Sequence, residues 1–446
     1  MKIIIFAGGI GTRLWPLSRK NSPKQFDKIF DGKSTLELAI ARVEPLVGID
    51  NIFVQTTENF KEAIRTQVPN LPSENIFIEP CRRNVGPAVC YGMMRLRSRF
   101  PLFQRGVEGD FSAAGTMELV NEGARDGADD NKAIRAEATG VEQGLRAEKS
   151  PRLPCGQPTP FEKEGNPPPI PQFANNRPTL EKGVKRRESV ALLWADHLME
   201  RVDEFRNALL IGDELIMEDP MRFIFLAERP RFANNNLGWI KVGEKISGND
   251  KKDAMRENEY FKFLGWKYKP EISECDQMFK SGDYFWNPGY FVSSIDFILC
   301  QYKNLAPEIY ENVKNSIEYP EKALEHYERA EKVSFDRAII EKTDFTNAVV
   351  VKTNMGWSDP GTLYALKEAL EKSRDANVVN GNVVELNTKD SLLYNFEKKK
   401  VLTTVGLDGF VVINTKDALI VAPKEEVVNV TKLVEKIGEL GMEKYL

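Results

Sequence analysis

Lys2-Ile3-Ile4-Ile5-Phe6-Ala7-Gly8-Gly9-Ile10-Gly11-Thr12-Arg13-Leu14 is the stretch from which the fold can be read. Its consecutive large apolar residues, mostly β-branched, favour a strand covered on both faces, the pattern of a parallel sheet under helices. The run ends on Gly8, Gly9 and Gly11, where a backbone without Cβ can approach an anion closely and expose its N–H groups. Thr12 adds a hydroxyl donor and Arg13 a guanidinium fork that matches phosphate oxygens. A strand running into such a turn is a triphosphate cradle at the carboxyl edge of a sheet, where ligands of open α/β folds gather. Two familiar phosphate motifs do not fit. The dinucleotide fingerprint wants a small residue where Leu14 stands, and a P-loop ending in Gly32-Lys33-Ser34 would have Asp27 in place of its first glycine.

Outward from this turn, residues up to 100 alternate short apolar runs with helical stretches: 34–46, 51–57, 58–68, 75–80 and 84–100. That alternation predicts parallel βαβ units, hence an α/β fold with a mixed, mostly parallel Rossmann-like sheet covered by helices on both faces. From 101 to 187 the character changes, with 10 Gly, 10 Pro and neither Tyr nor Trp. Such a segment buries too little apolar surface to offset its ordering entropy. It reads as a low-complexity insertion with at most a weak helix over 118–147, and its removal is expected to leave activity in place. Order resumes at SVALLWADHL (189–198), a buried-strand pattern that ends in a polar cluster. After residue 376 come brief strands with tight turns and a terminal helix over 425–440. The expected organisation is a catalytic domain over 1–372, interrupted at 101–187, and a C-terminal β-rich, β-helix-like domain over 373–446.

Composition narrows the function. With 446 residues, 41% hydrophobic and 29% charged, the chain is an ordinary globular protein of more than one domain. A net charge of -4 gives no broad basic surface, so no nucleic-acid partner is expected. The apolar run at the start is too short for a leader or a membrane span, so a cytoplasmic protein without membrane partners is expected. Five scattered cysteines contain no C-x-x-C pair, and two histidines exclude any site that needs three imidazoles. Carboxylates must hold whatever metal is used.

The segment Phe6–Arg19, followed by Ser22-Pro23-Lys24-Gln25-Phe26, resembles the N-terminal signature of the mannose-1-phosphate guanylyltransferases, close to F-A-G-G-x-G-T-R-L-W-P-L-S-R and then P-K-Q-F. The resemblance implies the nucleotide-diphospho-sugar transferase type of fold, GTP and mannose 1-phosphate as substrates, and Mg2+ as cofactor. It implies nucleotide contacts from Gly8, Gly9, Gly11, Thr12, Arg13 and Lys24, with Arg13 and Lys24 catalytic. Glu79-Pro80-Cys81-Arg82-Arg83-Asn84-Val85-Gly86-Pro87-Ala88 resembles the family's E-P-x-x-R-N-T-A-P-A element, which puts Asn84 and Pro87 at the nucleobase. Here Val85-Gly86 replaces the usual Thr-Ala. Leu193-Trp194-Ala195-Asp196-His197 resembles P-A-D-H, and Gly356-Trp357-Ser358-Asp359-Pro360-Gly361 resembles G-W-S-D-x-G. By that resemblance Asp196 and Asp359 are catalytic and bind the metal, although 163 residues separate them.

Gly238, within Asn236-Leu237-Gly238-Trp239-Ile240, and Asn287, within Phe285-Trp286-Asn287-Pro288-Gly289, are then the sugar-phosphate contacts, joined by Lys269. For Trp239 and Trp286 core packing is the leading expectation. Tyr268-Lys269-Pro270 occupies the place of the family's E-K-P and lacks its carboxylate, the most serious departure. Alternatives therefore stay open: another sugar or base, or a non-catalytic protein that binds a nucleotide sugar. Nothing after His326 can supply the histidine-bearing metal site of the isomerase domain that some relatives carry, so no isomerase activity is expected. The C-terminal strands offer a candidate surface for a homodimer.

Overall fold

The computed structural model describes residues 1–9, 12–19, 25–26, 32–100, 188–246, 260–343, 346–371, 373 and 375–446. The expectations for 101–187, for Gly11, for Lys24 and for the Thr12 side chain lie outside the described residues. The described residues belong to one compact unit, Met1–Phe103 with Lys185–Leu446.

The N-terminal alternation is realised as β1 (Lys2–Phe6), α1 (Thr35–Val47), β2 (Ile52–Thr57), α2 (Lys61–Gln67), β3 (Ile76–Glu79) and α3 (Val85–Arg99). Then come β4 (Ser189–Trp194), α4 (Val202–Glu218), β5 (Phe223–Glu228), β6 (Gly238–Lys245), β7 (Tyr260–Tyr268) and α5 (Ile272–Ser281). They are followed by β8 (Tyr284–Ser294), α6 (Ile295–Leu305), α7 (Pro307–Glu318), α8 (Ala323–Arg329), α9 (Phe335–Ala338), β9 (Ala348–Thr353) and α10 (Leu363–Leu370). Nine strands form one sheet in the order β3-β2-β1-β4-β8-β5-β9-β7-β6, with β6 also paired to β8. The parallel, Rossmann-like part is β3-β2-β1-β4 together with β5-β9. β8, β7 and β6 run antiparallel to their neighbours.

The alternating side chains of β1 show how the sheet is buried on both faces. Ile3 and Ile5 pack into the core on one face with Leu36, Ala39, Ile40 and Val43 of α1. Ile4 and Phe6 pack into the other with Val89, Met93 and Leu96 of α3. The α1 start is fixed by a capping box in which Ser34 accepts from the Glu37 N–H and Glu37 accepts from the Ser34 N–H. Because Phe6 is in register with Gln55 and with Trp194, the carboxyl ends of β1, β2 and β4 open on one edge.

The last elements are β10 (Val378–Asn380), β11 (Val383–Leu386), β12 (Leu392–Asn395), β13 (Leu402–Val405), β14 (Phe410–Asn414), β15 (Leu419–Pro423) and α11 (Val430–Glu439). β10, β12 and β14 stack in parallel, and β11 and β13 stack in a second parallel pair, so successive turns of chain wind as short coils. Asn395 and Asn414 bond across the coils at 2.9 Å. These coils share a core with Leu14, Trp15 and Leu17 of the signature segment and with Leu363 and Leu366 of α10. The Trp15 indole and the Arg19 guanidinium both donate to the Tyr445 carbonyl, at 2.8 and 2.7 Å.

Candidate active site

The glycine turn is held from behind. Gln25 is buried and its amide donates to the Gly9 carbonyl at 2.7 Å, while the Thr56 hydroxyl donates to the Ala7 carbonyl at 2.9 Å. Among the described residues, nothing lies within 4 Å of a Cβ built on Gly8 or Gly9. Sequence reasoning assigned Gln25 only to a signature; its backbone-fixing role becomes visible in the fold.

Asp196 follows β4, and its side chain is 35% exposed. Asp359 follows β9. The two loops are joined by a pair of backbone hydrogen bonds between Leu198 and Ser358, 3.0 and 3.1 Å long. Arg13 reaches the same place: the Cβ position of Gly361 is 3.5 Å from both Asp359 carboxylate oxygens and 3.6 Å from an Arg13 guanidinium nitrogen. Arg13 and Asp359 thus lie beside Gly361, and the Leu198–Ser358 pairing ties the Asp196 loop to the same segment.

A buried polar layer supports this edge. The Trp357 indole donates to His197 Nδ1 at 3.0 Å, and the Tyr290 hydroxyl lies 3.1 Å from that nitrogen. An indole N–H can only donate, so Nδ1 is the acceptor and a neutral ring carries its proton on Nε2. That nitrogen is 4.0 Å from Asp196 Oδ1. Burial pushes the Tyr290 hydroxyl well above its ordinary range; Arg42 pulls it down, and Asp196 and Asp359 both push it up. Arg42, itself buried, donates to the His197 carbonyl at 2.8 Å.

Trp194, where proline is usual in the resemblance, donates to the Gly289 carbonyl at 3.0 Å and so ties β4 to the Asn287 segment. Asn287 is in register with Gly238 across β8 and β6. Its Oδ1 accepts from the Gly289 N–H at 2.9 Å. Trp239 and Trp286 are fully buried, as packing residues. Lys269 has a left-handed φ of 48° and donates its N–H to the Leu237 carbonyl at 3.3 Å, beside Gly238. Tyr268 is half exposed next to it. Asn84, at φ 68°, caps α3 by accepting from the Val85 N–H, and Pro87 is buried in the first turn of that helix. Among the described residues no three His, Cys, Asp or Glu side chains cluster as a metal site.

Comparison with known proteins defines the class. Residues 2–104 and 182–376 match the nucleotidyl transferase family, and 381–437 match the MannoseP isomerase/GMP-like beta-helix domain. The chain belongs to the nucleotidyl transferase family. It is similar to a mannose-1-phosphate guanylyltransferase of Escherichia coli, 23% identical over 99% of this chain and 76% of that protein. A protein of the same name from Salmonella muenchen is 26% identical over 97% of this chain and 72% of its own length. A solved structure described as mannose-1-phosphate geranyltransferase from Thermus thermophilus has the same fold, with a TM-score of 0.69 and 22% identity, covering 98% of this chain and 99% of that one.

Proposed function

We propose that this chain transfers GMP from GTP to mannose 1-phosphate in the cytoplasm, yielding GDP-mannose and pyrophosphate. Relatives that carry the name mannose-1-phosphate guanylyltransferase support the substrate pair. The observation that carries the chemistry is the Leu198–Ser358 pairing, which ties the Asp196 loop to the Asp359 loop at the glycine-turn edge.

Two partly exposed carboxylates are a suitable donor set for Mg2+, which is commonly held by one or two carboxylates with phosphate oxygens and water. Asp196 and Asp359 would hold it. Bound there, the ion supplies charge neutralisation on the triphosphate. The chain's own groups do the rest. Gly8, Gly9 and Gly11 offer backbone to the phosphates, with Thr12, and Arg13 and Lys24 bring positive charge to the α-phosphate. Asn84 and Pro87 border the base, while Gly238, Asn287 and Lys269 receive the sugar phosphate. An anionic oxygen of the sugar 1-phosphate attacks the α-phosphorus in line. The bond to the bridging oxygen breaks, and pyrophosphate leaves with the electron pair. Because the nucleophile is already anionic, alignment and charge neutralisation suffice and no general base is needed.

The test is pyrophosphate release from GTP, mannose 1-phosphate and Mg2+, run beside a panel of other nucleoside triphosphates and sugar phosphates. GTP with mannose 1-phosphate is expected to be the fastest pair. Faster turnover with another pair would change the substrate, which is what Tyr268 in place of the family's glutamate favours. Absence of pyrophosphate with every pair would refute the reaction.

A further inference from the structure

Glu228 ends β5, is fully buried, and has no part in the reaction proposed above. Its carboxylate faces polar groups of one segment. Oε2 accepts from the Met355 N–H at 2.9 Å and lies 3.0 Å from the Thr353 hydroxyl, whose single proton is shared with the Ala227 carbonyl at 3.0 Å. Oε1 accepts from the Gly356 N–H at 3.0 Å and the Trp357 N–H at 3.2 Å. Three successive backbone N–H groups turned on one anion make a concavity of the kind that elsewhere holds phosphate. Here the chain fills it with its own side chain.

The turn is tight: Gly356 has φ +64°, and a Cβ there would come within 2.7 Å of the Glu200 carboxylate. From this pinned turn the Trp357 indole reaches His197, the Trp357 carbonyl accepts from Arg231 at 3.0 Å, and Ser358 pairs with Leu198. Asp359 is the next residue.

We infer that Glu228 is a positioning residue: an internal counter-anion that fixes residues 355–357 and thereby presents Asp359 beside Asp196. The inference rests on the proposal that these two aspartates share the metal–nucleotide site.

Glu228→Gln keeps the shape but turns an NH2 group against the Met355 N–H or against the Gly356 and Trp357 N–H groups. Two readouts are taken on the full chain, amide hydrogen exchange at 355–357 and pyrophosphate release as a function of Mg2+ concentration. Exchange at 355–357 is expected to accelerate. Turnover is expected to fall about ten- to a hundredfold, with a comparable rise in the Mg2+ needed for half-maximal rate, the usual cost of losing a group that orients a metal ligand. The KM for mannose 1-phosphate should change less than twofold, roughly the scatter of context-dependent effects. Should Glu228→Gln not fold, Thr353→Val decides, because it removes the hydroxyl beside Oε2 and is expected to shift both readouts in the same direction by a few-fold. A folded Glu228→Gln with wild-type exchange at 355–357 or wild-type Mg2+ dependence overturns the inference. If the wild type itself releases no pyrophosphate, the proposed reaction is wrong, and the exchange measurement alone then supports or overturns the role of Glu228.

Discussion

Glu79 closes β3 in a buried setting, and its chemistry sets a pH dependence of stability. Burial is the main cause that lifts its carboxyl from 4.5 to about 7; hydrogen bonds from Gln55 and Tyr327 and the charge of Arg82 work in the opposite direction. The folded value lies above the unfolded one, so the protonated form stabilises the fold. That contribution is complete below about pH 4.5 and is lost as pH rises through about 7. Glu79→Gln should remove the dependence. Denaturant unfolding at pH 5 and pH 8 is expected to show the wild type losing about 2–3 kcal/mol more than the variant over that interval, from 1.36 kcal/mol per pKa unit. Equal losses in both proteins would show that Glu79 titrates normally. Gln25 teaches a related point. In the sequence it was one letter of a signature, whereas in the fold its amide is a brace for Gly9, and only the tertiary contact distinguishes the two.

At the scale of elements, α3 explains a departure from the family pattern. Gly86 donates its N–H to the Val333 carbonyl at 2.9 Å and accepts from the Tyr302 hydroxyl at 2.5 Å. A Cβ at this position would lie 2.6 Å from the Val333 carbonyl oxygen, so the glycine that replaces the usual alanine is required by close approach. Gly86→Ala is expected to cost about 1–3 kcal/mol, the range for forcing extra volume into a packed core. A melting temperature equal to that of the wild type would contradict this. Strands and helices up to residue 100 were legible because their periodicity is local and their caps are written in sequence, as with Ser34 and Glu37. The antiparallel entry of β8 between β4 and β5 was not legible, since pairing between strands far apart in the chain is settled by tertiary packing. Glu228 was not legible for a similar reason: a carboxylate directly after an apolar run reads as a strand end, and the groups that meet it come from residues 353–357.

On the scale of the whole molecule, the C-terminal coils share one apolar core with Leu14, Trp15 and Leu17 of the signature segment and with Leu363 and Leu366 of α10. These residues flank Arg13 on one side and follow Asp359 on the other, so the coils buttress both arms of the proposed site. We propose that the boundary between catalytic and C-terminal regions falls near residue 372, after α10. The fold class and the glycine turn were readable from a dozen residues, while the meeting of Asp196 with Asp359 was carried by resemblance alone, since no local pattern links positions 163 apart. That meeting is the central claim, and a double-mutant cycle on pyrophosphate release tests it most directly. Asp196→Asn and Asp359→Asn are each expected to lower turnover by about a hundredfold or more, the scale for losing one preorganised electrostatic contact. If both hold one ion, the double variant should be little slower than the slower single variant, because groups acting as a unit are not additive. Full activity in either single variant, or losses that multiply in the double variant, would contradict the account.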